Sequence, residues 1–163
     1  MEFKVRKAKK EDIYSINELD RESTKYHEKF DKDFYTISEK QWKIKKNSQI
    51  KAIQSSTDLI LVAETDKKVV GYIWGYTKTV NKHKVGIIQE LIVTSKQRGR
   101  GIGNELIKRM LDFLKNRKCI ISKIDVVVDN LPAIKVYENV GFKKKEYKMQ
   151  LKLNKTKKFR PFF

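Results

Sequence analysis

Apolar positions change their spacing along the chain, and each spacing predicts an element. Phe3-Lys-Val-Arg alternates apolar and polar, the period of a half-buried strand. Behind Lys9-Lys-Glu-Asp12, the residues Ile13, Ile16 and Leu19 recur at the spacing of one helical face. Ser38-x-x-Gln41 is a capping box, in which hydroxyl and amide satisfy free backbone donors, and it opens a helix over about 38–55. Segments 59–64 and 69–76 read as strands joined by the polar turn Thr65-Asp66-Lys67-Lys68. A second turn at 81–84 leads into a third strand over 85–93, apolar enough to be central. Segment 102–116 is strongly amphipathic, with Ile102, Leu106, Met110, Phe113 and Leu114 on one side. Segment 120–128 predicts another buried strand. Pro132 opens a short helix, where its missing N–H is harmless, and Gly141 caps the end. Tyr147, Met149, Leu151 and Leu153 alternate as a last strand.

Tight turns make the middle strands antiparallel, whereas helical crossovers let the later strands run parallel. The expected fold class is therefore α/β (α+β), a mixed, mostly antiparallel central sheet flanked by helices. At 163 residues, without repeats or a low-complexity linker, the chain reads as one domain over 1–153 followed by a basic, aromatic tail over 154–163.

Composition narrows the setting. The lone Cys119 excludes an intrachain disulfide and points to a reducing compartment. No apolar run approaches the ~20 residues of a membrane span, and the first residues lack the apolar core of a secretory signal. A cytoplasmic protein with no membrane attachment is expected. The formal charge is +18, but the lysines are spread rather than gathered in one block, so nucleic acid is not the expected partner. The tail offers a surface for a partner subunit, which makes a homodimer one expected assembly. His27 and His83 are far apart and lack ligand spacing, so no metal is expected.

The candidate chemistry lies in Gln97-Arg98-Gly99-Arg100-Gly101-Ile102-Gly103, between a buried strand and a helix. Glycines let the backbone adopt positive φ and approach a ligand closely. The helix start supplies free N–H groups and the positive end of a dipole, which together suit a diphosphate. Arg98 and Arg100 add charge matched to phosphate oxygens. No Gly-Lys-Ser/Thr follows, so this is not a P-loop.

Ile88-Gln-Glu-Leu-Ile-Val93 followed by Arg98-x-x-Gly101-x-Gly103 resembles the acetyl-CoA signature of the GNAT superfamily of N-acetyltransferases. Val128-Asp-Asn130-x-x-Ala133-x-x-x-Tyr137-Glu-x-x-Gly141-Phe142 resembles that family's downstream motif, in the right order and at the right separation. The likeness runs from about Phe3 to Leu153. It implies a sheet whose strands splay apart after 93 and 128, with the pantothenate arm of acetyl-CoA entering the gap. The arm would pair with backbone groups of Leu91, Ile92 and Val93 as an added strand. The diphosphate would sit on the N–H groups of Arg98, Gly99, Arg100, Gly101, Ile102 and Gly103, with Asn104 beside them, and Asn130 would contact the arm from the other side.

The implied reaction moves acetyl from a thioester to an amine by direct attack in a ternary complex. The amine arrives protonated and needs a base. Glu90 is the acidic residue within the central strand and is the first candidate. Members of the resembled family that use a carboxylate on this strand, such as polyamine acetyltransferases, place it one position earlier, where this chain has Gln89, and a β-bulge would restore the facing. Asp125 is the rival, because its distance before Asn130 resembles that of the catalytic glutamate in ribosomal-protein N-terminal acetyltransferases. Tyr137 matches the family's tyrosine and is assigned as general acid to the departing thiolate. The aromatic group Tyr26, His27, Phe30, Phe34 and Tyr35 and the acidic group Asp20, Glu22, Glu28, Asp31 and Asp33 are candidates for shaping a site for a cationic acceptor. An acetyl-CoA-binding sensor and a basic nucleic-acid-binding protein are the alternative functions.

Overall fold

Strand periodicity sorts neighbouring side chains onto opposite faces, and two cores result. In the computed structural model, which describes residues 2–151, five strands form one sheet in the order β1 (Lys4–Lys7), β2 (Asp58–Thr65), β3 (Lys68–Val80), β4 (His83–Val93), β5 (Ile121–Ile124). The first four pair antiparallel, and β4 pairs with β5 in parallel. The expected mixed, mostly antiparallel sheet with flanking helices is thus the observed architecture.

The helices are α1 (Ile13–His27), the single-turn α2 (Lys32–Tyr35), α3 (Glu39–Gln54), α4 (Ile102–Asn116) and α5 (Leu131–Asn139). On one face, Leu61, Ala63, Ile73 and Ile88 meet Ile102, Leu106, Ile107 and Met110 of α4 and Tyr137 of α5. On the other face, Ile60, Val62, Tyr72 and Ile92 meet Ile16 and Leu19 of α1 and Ala52 of α3.

Local signals explain the boundaries. The capping box forms as read: the Gln41 side chain accepts from the Ser38 N–H at 2.8 Å and α3 starts one residue later. Both hairpin turns carry pairs of left-handed residues, Asp66 and Lys67 in one and Asn81 and Lys82 in the other. Such turns match the twist of the flanking strands.

Two expectations fail. The buried strand over 120–128 is only Ile121–Ile124, and Ile120, Val126 and Val128 are exposed. The apolar run reads as a strand covered on both sides, but β5 is the last strand of the sheet and carries a neighbour on one side only. The last strand is absent among the described residues: 142–151 form no regular element, and Tyr147, Met149 and Leu151 are exposed. Alternation alone does not make a strand when no sheet edge receives it. Leu153 and the tail 154–163 lie outside the described residues.

Candidate active site

The glycine-rich segment adopts the conformation its composition calls for. Gly99 and Gly101 have φ of 76° and 78°. A side chain at either would meet nothing within 4 Å, so backbone conformation rather than space requires glycine there. Gly101 caps α4, whose first intrahelical bond runs from the Glu105 N–H to the Gly101 carbonyl at 3.1 Å. The N–H groups of Ile102, Gly103 and Asn104 therefore have no carbonyl within the helix. Ile102 is buried and anchors the helix start, while Arg98, Arg100 and Asn104 are exposed around it. Arg98 is steered: its Nε donates to the Val93 carbonyl at 3.1 Å, and its guanidinium lies 5.0 Å from the centre of the Tyr26 ring.

The strands part just before this loop. Pairing of β4 with β5 ends at Ile88 opposite Ile124, whereas β4 continues to Val93. Leu91, Ile92 and Val93 thus present one strand edge that β5 does not cover, leading directly into the loop. Across the opening, buried Asn130 precedes α5 and accepts a 3.5 Å hydrogen bond from the Tyr26 hydroxyl. An uncovered edge, a run of free helix N–H groups and two arginines are the donor set that an extended amide chain ending in a diphosphate requires. The residues present fit acetyl-CoA.

The same stretch of β4 holds a bulge. Trp74 opposes Glu90 and the next residue, Gly75, opposes Ile88, which leaves Gln89 without a partner in the register. Ile88 packs on the α4 face and Ile92 on the α1–α3 face, although an even spacing would put both on one side. The bulge makes the switch. It sends Glu90 to the α1–α3 face and turns Gln89 out to solvent.

On that face Glu90 meets a polar cluster. Lys45 Nζ of α3 lies 2.9 Å from Glu90 Oε1 and 3.0 Å from Asp20 Oδ1 of α1. Asp20 is fully buried and also accepts from the Tyr72 hydroxyl and, at 2.7 Å, from Gln49 Nε2. Gln49 in turn accepts from Asn17 Nδ2 at 3.0 Å. Burial pushes the Glu90 pKa above its ordinary value, against the attraction of Lys45. Tyr137, buried on α5, is pushed up to about 12 by burial first and by the charge of Glu90 second.

Other sequence candidates land elsewhere. Asp125 falls just past β5, is largely exposed and pairs with Lys148. Tyr26, His27, Phe30, Phe34 and Tyr35 do stack on one another at the end of α1. The acidic group divides: Asp20 lies beneath the surface, and Glu22 accepts from Thr94 Oγ1 and the Ser95 N–H, each at 2.8 Å. Sequence reasoning missed Lys45, Gln49 and Tyr72. A signal existed, since Trp42, Lys45, Gln49 and Ala52 share a helical stripe and the two ends of it are apolar. A surface cavity between Val5, Glu64, Glu105 and Arg109 lies by β1 at the other edge of the sheet and is lined by none of these residues.

The mixed sheet, the parting of β4 from β5 and the glycine-rich helix start together define an acyl-CoA-type transferase fold. The profile of the Acetyltransferase (GNAT) family matches residues 7–142, and the chain belongs to that family. It is 30% identical over 147 residues to an uncharacterised N-acetyltransferase of Methanocaldococcus jannaschii, with 88% of this chain aligned. The chain spans about 62% of that relative's length. Among solved structures, a mutant of the BH1408 protein from Bacillus halodurans superposes with a TM-score of 0.83 at 22% identity, covering 92% of this chain and 99% of that one. AAC(6')-Iy in complex with the bisubstrate analogue CoA-S-monomethyl-acetylneamine superposes with a TM-score of 0.73 at 16% identity, covering 93% and 98%.

Proposed function

We propose that the protein transfers acetyl from acetyl-CoA to an amine by direct attack, with Glu90 as the base and Tyr137 as the donor at sulfur. The observation that carries this reading is the end of β4–β5 pairing at Ile88 and Ile124, immediately beside the bulge that turns Glu90. Cofactor edge and candidate base are thereby set on adjacent residues of one strand. Leu91 to Val93, Arg98 to Asn104 and Asn130 would hold acetyl-CoA.

An alkylammonium has a pKa near ~10 and attacks only after losing a proton. Glu90 is suited to take it, because burial has already raised its affinity for a proton. Amine nitrogen then bonds to the thioester carbonyl carbon, the carbon–sulfur bond breaks with its electron pair leaving on sulfur, and the second proton shed by the new amide nitrogen ends on that sulfur, giving CoA thiol. Tyr137, with a pKa of about 12, stays protonated at neutral pH and is available to donate. Outright transfer to a thiolate with the ~8.5 pKa of an ordinary thiol is uphill by roughly three to four units. The phenol therefore acts chiefly by hydrogen-bonding the developing sulfur charge. Neutralising Glu90 during the reaction removes part of what holds the Tyr137 pKa up, which eases donation at that moment.

The acceptor class is a cationic amine. Asp20, Glu90 and Lys45 together carry one net negative charge where the amine would arrive, and the bisubstrate complex of AAC(6')-Iy shows an aminoglycoside-derived acceptor on the same fold. Glu90→Gln should lower kcat/KM by about a hundred-fold or more while acetyl-CoA affinity stays within a factor of two. An unchanged rate and pH profile in that variant would remove Glu90 from the role.

A further inference from the structure

One ammonium shared by two unequal carboxylates underlies the candidate base. Asp20 has both oxygens engaged: Oδ1 receives Tyr72 and Lys45, and Oδ2 receives Gln49. Each of these partners is a donor to its carboxyl oxygens. Glu90 is half-used, because among the described residues only its Oε1 is hydrogen-bonded, and only by Lys45. Lys45 sits on the stripe of α3 that faces the sheet, so its stem is packed, and its charge is fixed by Asp20 rather than by Glu90 alone.

We propose that Lys45 and Asp20 are a positioning pair for Glu90: buried Asp20 pins Lys45, and Lys45 grips one oxygen of the Glu90 carboxylate while the other remains free to take a proton. The proposal rests on Glu90 being the base.

The two members act in opposite directions. Lys45 alone would over-stabilise ionised Glu90 and leave it a poor base. Asp20 offsets much of that charge, so that Glu90 is fixed in place without losing its basicity. The groups facing Glu90 are Lys45 from α3, Asp20 and His27 from α1, Tyr72 from β3 by way of Asp20, and Tyr137 from α5. His27 adds a smaller attraction, and neither it nor the tyrosines change in the variants below.

A purely structural pair would affect folding or overall rate but would not move the titration of Glu90 in two opposite senses. Removing the cation in Lys45→Met should raise the Glu90 pKa by about one unit or more, since an opposite charge at this range shifts a carboxylate by that order. Removing the anion in Asp20→Asn should lower it, because Lys45 then serves Glu90 alone. Lys45→Arg keeps the charge and should leave it near the native value.

The test is a carboxyl ¹³C NMR titration of the full chain without ligand, with the Glu90 resonance assigned by its loss in Glu90→Gln. The acid limb of kcat/KM is followed in parallel. Opposite shifts in Lys45→Met and Asp20→Asn support the pair. A Glu90 titration that stays put in both, in variants that still bind acetyl-CoA, overturns it. Should Lys45→Met or Asp20→Asn fail to fold, Lys45→Gln or Asp20→Ser takes its place, and a Glu90 titration that stays at the native value in both replacements would overturn the pair. If Glu90→Gln itself leaves the acid limb in place, the base assignment fails instead, and the two failures are distinguished.

Discussion

The ring of Tyr26 lies beneath the guanidinium of Arg98, and its hydroxyl reaches Asn130 on the far side of the strand opening. One side chain of α1 therefore touches both walls of the opening proposed to hold acetyl-CoA. With Nε spent on the Val93 carbonyl, the remaining guanidinium donors of Arg98 are left for the proposed diphosphate. An exposed cation–π contact is worth about 0.5–1 kcal/mol. Tyr26→Leu should therefore weaken acetyl-CoA binding by roughly two- to five-fold in calorimetry, and Tyr26→Phe should weaken it by less than two-fold. Equal and large losses in both would mean that the hydroxyl, not the ring, is the contact that matters.

Glu22 ties α1 to residues 94–95, at the start of the glycine-rich loop. Burial pushes its pKa up, but hydrogen bonds from Ser95 and Thr94, with the charge of Arg98, outweigh this and hold it below the ordinary carboxylate value. It stays ionised at neutral pH and braces residues 94–95. Glu22→Gln retains the shape and loses the charge-assisted bonds, each worth about 1.5–3 kcal/mol where protected and less at this half-exposed position. The expected outcome is a rise of about three- to ten-fold in the KM for acetyl-CoA with the KM for the amine unchanged. A rise confined to the amine would show that Glu22 serves the acceptor instead.

Far from the site, Asp12 joins the first strand to the first helix. It accepts from Arg6 Nη1 at 2.7 Å, from Arg6 Nη2 at 2.9 Å and from the Lys9 N–H at 2.7 Å. The hydrogen bond from Arg6 lowers its pKa against the opposing effect of burial. A carboxylate depressed on folding contributes stability above its unfolded pKa of about 3.9, and that contribution fades as pH falls through the folded value. Asp12→Asn should lower Tm at pH 7 by roughly 3–8 °C, from about 1.5–2 kcal/mol at 2–4 °C per kcal/mol. The gap should narrow in a calorimetric series as pH falls below the unfolded value of about 3.9, and a gap independent of pH would point to packing rather than charge.

How much of this was legible in the sequence depends on the range of the interaction concerned. The α4 boundaries, the Ser38 cap and the left-handed glycines follow from contacts within a few residues, and they were readable. The bulge at Gln89 was legible only as a mismatch of one position with a resembling family, because nothing local marks it. Its cause is tertiary: Ile88 and Ile92 must each fill a different core. The length of β5 was overestimated, since Val126 and Val128 are apolar but stand beyond its pairing with β4. Asp20 was read with the acidic residues that could shape an acceptor site, and its burial was not legible because a carboxylate is seldom buried alone. Lys45, Gln49 and Tyr72, which make its burial tolerable, come from two other elements distant in sequence.

The central claim is acetyl transfer to a cationic amine at the opening between β4 and β5. The direct measurement is CoA thiol release from acetyl-CoA against polyamines, aminoglycosides, free amino acids, peptide N-termini and lysine peptides, with mass spectrometry of the product. The account predicts turnover with at least one of these classes, addition of a single acetyl group to nitrogen, and loss of about a hundred-fold or more in Glu90→Gln. Tight acetyl-CoA binding without turnover on any of them, or turnover indifferent to Glu90, would contradict it.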